Sequence, residues 1–286
     1  MADDRWAFTS RSSALNYGSI AALAAASRAL AGYNDDLARE CRQVATAAWA
    51  EEQGQEPFRF SHGNTTGGPL ELEQYKAAAE LLLSTGETTY RRALEGMDAA
   101  LQQYFRELVP YAVRALPHMA PAFAVRLEGY AREYVAAQVA QERDNPYGVE
   151  ITAGGWAGNG TIIANAISDY YLHRAFPALV DREQVLRALN YLYGTHPDSN
   201  LSFVSGVGAR SKKVAYGMNR ADFSFIAGGV VPGVLILKPD FPENKEDWPF
   251  LWGENEYVIS VGASYLFLVN AAARILAAVA DDGGDL

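Results

Sequence analysis

The stretch RSSALNYGSIAALAAASRALAGYND, residues 11–35, decides the class of fold. Its large apolar residues Leu15, Ile20 and Leu23 recur at helical spacing among many alanines. A serine at position 12 or 13 can cap the start of a helix, and residues 32–34 carry the glycine and asparagine that end one. The stretch therefore predicts an amphipathic helix, and its alanines favour close packing against neighbouring helices.

The same pattern continues along most of the chain. It predicts further helices over residues 36–54, 72–86, 87–108, 120–144, 162–176, 181–194 and 255–278. About eight helices, joined in sequential pairs by short turns, are typical of an all-α toroid or solenoid rather than of a bundle. We expect residues 1–286 to form a single domain of this class.

The region from residue 200 to residue 253 interrupts the helical pattern. It holds about fifty residues with no clear helix, which is too long for a simple connection. Because long loops on a helical scaffold tend to carry binding and catalytic residues, we expect the functional site to involve this region.

Composition and charge exclude several classes of partner. The 24 basic and 34 acidic residues give a net charge of −10, which disfavours nucleic acid. No apolar run approaches the length of a membrane span, and the start of the chain does not resemble a signal peptide, so we expect no membrane association. The single cysteine, Cys41, allows no internal disulfide and is expected to be a small core or boundary residue. The four histidines are scattered without metal-ligand spacing, so we expect no metal and no cofactor.

The stretch PFLWGENEYVISVGASYLFLVNAAARIL, residues 249–276, places an acidic pair ahead of a long apolar helix. One interpretation is that Glu256 caps that helix, because a carboxylate suits free N–H groups and the positive end of the helix dipole. The other is that Glu256 is a general acid at the edge of a cleft, with Trp248, Phe250 and Trp252 as apolar surroundings. We interpret Glu254 as an exposed flanking residue.

Five segments, in this order, resemble the catalytic domain of glycoside hydrolase family 9. They are WAFTSRSSALNYGSIAALAAASR (6–28), GGWAGNGTIIANA (154–166), NYLYGTHPDSNLSFVSGVGARS (190–211), AYGMNRADFS (215–224) and GENEYVISVGASYLFLVNA (253–271). The resemblance covers nearly the whole chain. It implies an (α/α)6 barrel of twelve helices, of which this chain would hold about eight, with the long irregular region before the last helix.

The resemblance also implies the site residues. Glu256 matches the family's general acid, and Trp156, Asn159, Tyr216, Asn219 and Arg220 fall where the family binds sugar. Each has a structural alternative: Trp156 as a hydrophobic plug, Asn159 as a helix cap, and Arg220 as the partner of Asp222. The histidine that precedes the arginine in the family is absent here.

The implied function is hydrolysis of a β-1,4-glucan or a related β-glycan with inversion. That mechanism needs a second carboxylate as base, about 6.5–9.5 Å from the acid. The family takes its base from a DAGD-like stretch, and the nearest segments here, NDDLA and MADD, lack its glycine and its position. We therefore expect the base to come from outside this chain, and the site of action to be extracellular or periplasmic, as for most of the family.

Two alternatives remain open from the sequence. One is a carbohydrate-binding remnant that needs no acid. The other is a lyase or epimerase on a similar toroid, which would use a Tyr/His pair such as Tyr257 and His173. In either case an incomplete barrel would expose apolar faces, so we expect a second copy of the chain or a partner segment to cover them.

Overall fold

A computed structural model describes residues 10–62, 65–143, 145–151, 158–196, 199–212, 225–233 and 256–282, with side chains up to residue 277 in the last helix. Backbone contacts divide the chain into two compact units, Met1–Tyr130 and Ala131–Leu286. The prediction of one domain over residues 1–286 stays a prediction.

The first unit is helical. Its elements are α1 (Ser13–Ala29), α2 (Asp35–Gln53), α3 (Leu70–Thr85), α4 (Thr88–Gly96), α5 (Asp98–Gln103), α6 (Phe105–Ala115), a 3-10 turn (Leu116–His118) and the first part of α7 (Pro121–Arg143). Ser12 caps α1 by accepting a hydrogen bond from the Leu15 amide, and Asn34 caps α2 in the same way through the Leu37 amide. Ser12 is one of the two caps that the sequence pattern indicated, whereas Asn34, expected to mark the end of the first helix, starts the second, and α1 already ends at Ala29.

Close packing of α1 against α2 and α3 forms the core of this unit. Ala24, Ala45 and Ala78 have no exposed surface, so small side chains let the helices approach each other. Cys41 is buried and free, as expected for a core residue. The alanine-rich composition thus has the structural consequence that the sequence indicated.

Residues 87–108 depart from the prediction of a single helix. The backbone leaves helical geometry at Met97 and at Tyr104, which separates α4, α5 and α6. Leu94, Leu101 and Leu108 are spaced by seven residues and are all buried. A straight helix would rotate such a row by about 20° per seven residues, and the two breaks allow all three leucines to face the core. The described residues accordingly form ten α-helices rather than about eight.

The second unit holds the rest of α7 together with α8 (Gly158–Ala175), α9 (Arg182–Leu192) and α10 (Ile259–Asp282). Two short parallel strands, β1 (Leu201–Ser202) and β2 (Arg210–Ser211), lie in the described part of the irregular region. A capping box formed by Asp181 and Gln184 starts α9. Helix α8 packs against both α9 and α10, and this contact holds the core of the unit.

Helix α10 is long and apolar enough to cross a membrane, judged by length and composition alone, over Ile259–Ala277 with a mean hydropathy of 1.5. The expectation that no run reaches that length is therefore wrong. One face of α10 belongs to the core, with Leu268 completely buried. Away from this core, Ile259, Leu266 and Leu276 are 91%, 64% and 55% exposed. The helix therefore leaves three large apolar side chains uncovered within the described chain.

Candidate active site

The N-terminal ends of α8 and α10 lie side by side. A Cβ atom placed on Gly160 would lie 3.4 Å from Cγ2 of Val261. Asn159 stands in the first turn of α8, and Glu256 lies three residues before α10 begins. The two predicted site residues therefore belong to one end of the second unit.

Two loop segments, residues 201–212 and 225–233, contact these helix ends and pair with each other. Val204 and Val230 form an antiparallel bridge between the segment 201–212 and the segment 225–233. The Val231 amide donates to the Phe203 carbonyl at 3.1 Å, and the Ser205 amide donates to the Gly229 carbonyl at 2.9 Å. The motif LSFVSGVG is thus paired with residues from further along the irregular region.

Asn159 fastens α8 to the second of these segments. Its backbone N–H donates to the Pro232 carbonyl at 2.8 Å, and its Nδ2 donates to the Val231 carbonyl at 2.8 Å. A Cβ atom on Gly233 would lie only 2.2 Å from Nδ2, and the φ of +63° at this position also favours glycine. Asn159 is completely buried, and its Oδ1 has no hydrogen-bond partner in the described ranges. Direct contact between Asn159 and sugar stays a prediction.

Glu256 is half-buried and lies in non-helical backbone. Within the described parts of the chain, its carboxyl group forms no hydrogen bond and no ion pair, so the structure gives no support to its interpretation as a helix cap. The carboxyl group is therefore not committed to a structural bond with any described residue.

Tyr257 anchors the backbone next to Glu256. Its hydroxyl donates to Ser205 Oγ at 2.8 Å and accepts from the Ile226 amide at 3.0 Å. A Cβ atom on Gly229 would lie 2.5 Å from the tyrosine ring, so the ring packs directly on the backbone of that loop. From the sequence, Tyr257 stands out only as half of a possible Tyr/His pair. Its position immediately after the candidate acid was the available signal for a positioning role.

The pair proposed for a lyase or epimerase is not formed. Nδ1 of His173 lies 2.9 Å from the Val180 carbonyl, whereas Tyr257 bonds to the loops described above. His173 is thirteen residues after Gly160, which corresponds to about 20 Å along α8. Tyr257 and His173 thus lie at different ends of the unit.

The remaining predicted positions lie outside the described residues. They are the candidate sugar-binding residues Trp156, Tyr216, Asn219 and Arg220, the alternative partner Asp222, the flanking Glu254, and the aromatic residues at 248, 250 and 252.

A second polar cluster lies in the contact between α7, α8 and α9, and the sequence analysis missed it. Nε2 of Gln138 donates to both carboxylate oxygens of Asp169, at 3.0 and 2.8 Å. Arg187 pairs with Glu142 at 2.8 Å. Burial raises the pKa of Asp169 to about 7, and the nearby charge of Glu142 acts in the same direction, whereas the bond from Gln138 and the charge of Arg187 oppose the shift. A single charged residue within the helical pattern SDYY was the available signal.

The sequence model of glycosyl hydrolase family 9 matches residues 1–221. A metagenome-derived family 9 endoglucanase superposes with a TM-score of 0.70 at 22% identity, over 89% of this chain and 51% of its own. The cellulase Cel9M of C. cellulolyticum gives 0.74 at 17% identity, over 93% and 65%. The endoglucanase of the termite Nasutitermes takasagoensis gives 0.72 at 17%, over 92% and 66%.

These likenesses show the fold. The described helices correspond to part of the α/α barrel of these structures. The chain spans about half to two thirds of the length of those proteins. No protein of curated function matches the chain by sequence.

Proposed function

The chain belongs to glycosyl hydrolase family 9, and from that membership we propose that it hydrolyses a β-1,4-glucan or a related β-glycan with inversion at the anomeric carbon. Glu256 is the general acid of this proposal. It donates a proton to the glycosidic oxygen as the bond between that oxygen and the anomeric carbon breaks. Trp156, Asn159, Tyr216, Asn219 and Arg220 bind the sugar.

One observation carries the proposal for Glu256. Glu256 is a half-buried residue whose carboxyl group is bonded to no described side chain, and its neighbour Tyr257 fastens the adjacent backbone to the joined loops. A general acid needs this combination of a fixed backbone and an uncommitted carboxyl group. Two further family 9 structures support the substrate class, since one was solved with cellobiose and the other with a cellobiose-like isofagomine.

The general base comes from outside the 286 residues in this proposal. An inverting mechanism needs the base to activate a water molecule on the face of the sugar opposite the acid. The uncovered apolar side chains of α10 mark where a further segment or a second copy of the chain is proposed to dock. In this proposal the protein acts outside the cell or in the periplasm, as most of the family does.

The first experiment measures reducing ends released from soluble β-glucans by the chain and by Glu256→Gln. The matched control is Glu183→Gln, which makes the same change at an exposed position of α9. We expect weak release that disappears in Glu256→Gln and persists in Glu183→Gln. Release that is unchanged in Glu256→Gln would remove Glu256 from the mechanism.

A second experiment replaces the missing base with azide, an anion that attacks the anomeric carbon without being deprotonated. A bond from carbon to azide nitrogen forms as the glycosidic bond breaks, and Glu256 protonates the leaving oxygen. The expected product is a glycosyl azide of inverted configuration, formed by the original chain and not by Glu256→Gln. If neither water nor azide gives product while both proteins still bind the glucan, the chain is a carbohydrate-binding remnant instead.

A further inference from the structure

Three short segments of the second unit meet at the hydroxyl group of Tyr257. The Ile226 amide donates to this hydroxyl at 3.0 Å, and the hydroxyl donates to Ser205 Oγ at 2.8 Å. Ser205 Oγ in turn donates to the Lys212 carbonyl at 2.7 Å. These residues are linked by a continuous series of hydrogen bonds, which we call the Tyr257 chain.

The direction of the Tyr257 chain follows from chemistry. A carbonyl oxygen only accepts hydrogen bonds, so Ser205 must give its single hydroxyl proton to Lys212. Ser205 Oγ then accepts from Tyr257, and the Tyr257 oxygen accepts from the Ile226 amide. Each hydroxyl group donates one bond and accepts another, and bonds aligned in this way strengthen one another. Removal of either hydroxyl group should therefore weaken the whole Tyr257 chain.

Ser205 connects the Tyr257 chain to both loop segments. It is completely buried, and its backbone bonds to Gly228 at 2.8 Å and to Gly229 at 2.9 Å, both in the segment 225–233. The ring of Tyr257 packs on the same stretch, since a Cβ atom on Gly229 would lie 2.5 Å from the ring. The Tyr257 hydroxyl is thus held by two segments whose backbones are themselves bonded together.

The backbone around Glu256 has few other polar contacts. Helix α10 begins at Ile259, so residues 256–258 lie before its first turn. Within the described ranges, these residues bond through the Tyr257 hydroxyl and through the Val258 carbonyl, which accepts from the Gly262 amide at 3.0 Å. Adjacent Cα atoms are about 3.8 Å apart, so a displacement of Tyr257 also moves Glu256.

We propose that Ser205 is a positioning residue for Glu256 and acts through the Tyr257 hydroxyl. This inference rests on the proposed function, in which Glu256 is the general acid. A misplacement of about 1 Å in a reacting group can cost about 100-fold in rate, so a side chain that fixes the acid affects the rate without touching the sugar. The Tyr257 chain therefore serves proton transfer rather than glucan binding.

Formation of the glycosyl azide by Ser205→Ala and by Tyr257→Phe tests this proposal, since each variant lacks one hydroxyl group of the Tyr257 chain. We expect kcat to fall at least tenfold in both, with KM changed less than twofold. The double variant should be no slower than the slower single variant, because either change breaks the same chain.

Tyr193→Phe is the matched control, since it removes a hydroxyl group that bonds to Tyr265 at 3.0 Å in the same unit. Its kcat should be unchanged. Unchanged kcat in Ser205→Ala, a higher KM at unchanged kcat, or effects that multiply in the double variant would overturn the proposal.

NMR gives a second readout that needs no turnover. Ser205→Ala should shift the carboxyl carbon resonance of Glu256 and speed amide exchange at Ile226 about tenfold, whereas Tyr193→Phe should change neither. An unchanged Glu256 resonance or unchanged exchange at Ile226 in Ser205→Ala would overturn the proposal even in an active chain. If the wild type forms no glycosyl azide while Ser205→Ala still shifts the resonance, the proposed function fails and the positioning of Glu256 by Ser205 stands.

Discussion

Acidification should destabilise the fold through His196, which is 6% exposed and lies in the core of the second unit. Its Nε2 lies 2.6 Å from the Tyr191 carbonyl, so Nε2 carries the proton of the neutral ring. The ring packs edge-on against Tyr147 and also contacts Phe203. Burial lowers the pKa of His196 from 6.5 to about 4, although the bond to the Tyr191 carbonyl acts in the opposite direction.

The magnitude follows from the difference between the two pKa values. The unfolded chain takes up the proton near pH 6.5, whereas the folded chain resists it down to about pH 4. The stability contributed by the neutral ring is therefore complete above pH 6.5 and is lost as the pH falls toward 4. With about 1.36 kcal/mol per pKa unit, the loss amounts to about 3 kcal/mol.

Urea unfolding of the wild type and of His196→Gln, between pH 7.5 and pH 4, measures this loss. Glutamine can still donate to the Tyr191 carbonyl but does not titrate. We expect the variant to be less stable than the wild type at neutral pH and to regain about 3 kcal/mol relative to it on acidification. Ser199→Ala is the control, since it removes the second contact of the ring, at 3.4 Å, and leaves the ring buried. That variant should keep the wild-type dependence on pH.

A stability difference between wild type and His196→Gln that is the same at pH 7.5 and at pH 4 would refute this reasoning. An NMR titration of the His196 ring that gives a pKa near 6.5 in the folded chain would refute it directly.

Three further perturbations test other parts of the structure. Because burial raises the pKa of Asp169 from 3.8 to about 7, the folded chain loses stability as the pH rises through that range and the buried carboxyl group ionises. Asp169→Asn does not titrate, so it should gain about 4 kcal/mol relative to wild type between pH 4 and pH 8, measured by urea unfolding. Glu80→Ala should cost about 3 kcal/mol in the same assay, because the buried Glu80 is the carboxylate partner of two arginines, and an unchanged midpoint would contradict this. Tyr257→Phe should speed amide exchange at Ile226 about tenfold, because one hydrogen bond of about 1.4 kcal/mol is lost; unchanged exchange would show that the hydroxyl does not hold the loop.

Local patterns in the sequence predicted most of the helices. The cap at Ser12, the alanines of α1 and α2 and the apolar spacing of α8 act within a few residues, so they are readable without knowing the rest of the fold. The family resemblance rested on five such segments and was confirmed by the match over residues 1–221. The division of residues 87–108 into three helices was not predicted, because it depends on which side of each segment faces the core.

The sequence by itself determined the helical class, the family and the candidate acid Glu256, since these follow from residue type, spacing and order along the chain. Only the tertiary structure decided that Tyr257 bonds to Ser205, fifty-two residues earlier, and that Gln138 meets Asp169 across two helices. These contacts join positions far apart in the chain, and their strength depends on burial that only the packed core provides. A glutamine in a helical pattern is predicted to be exposed, and only the packed structure shows that a neighbouring helix covers it.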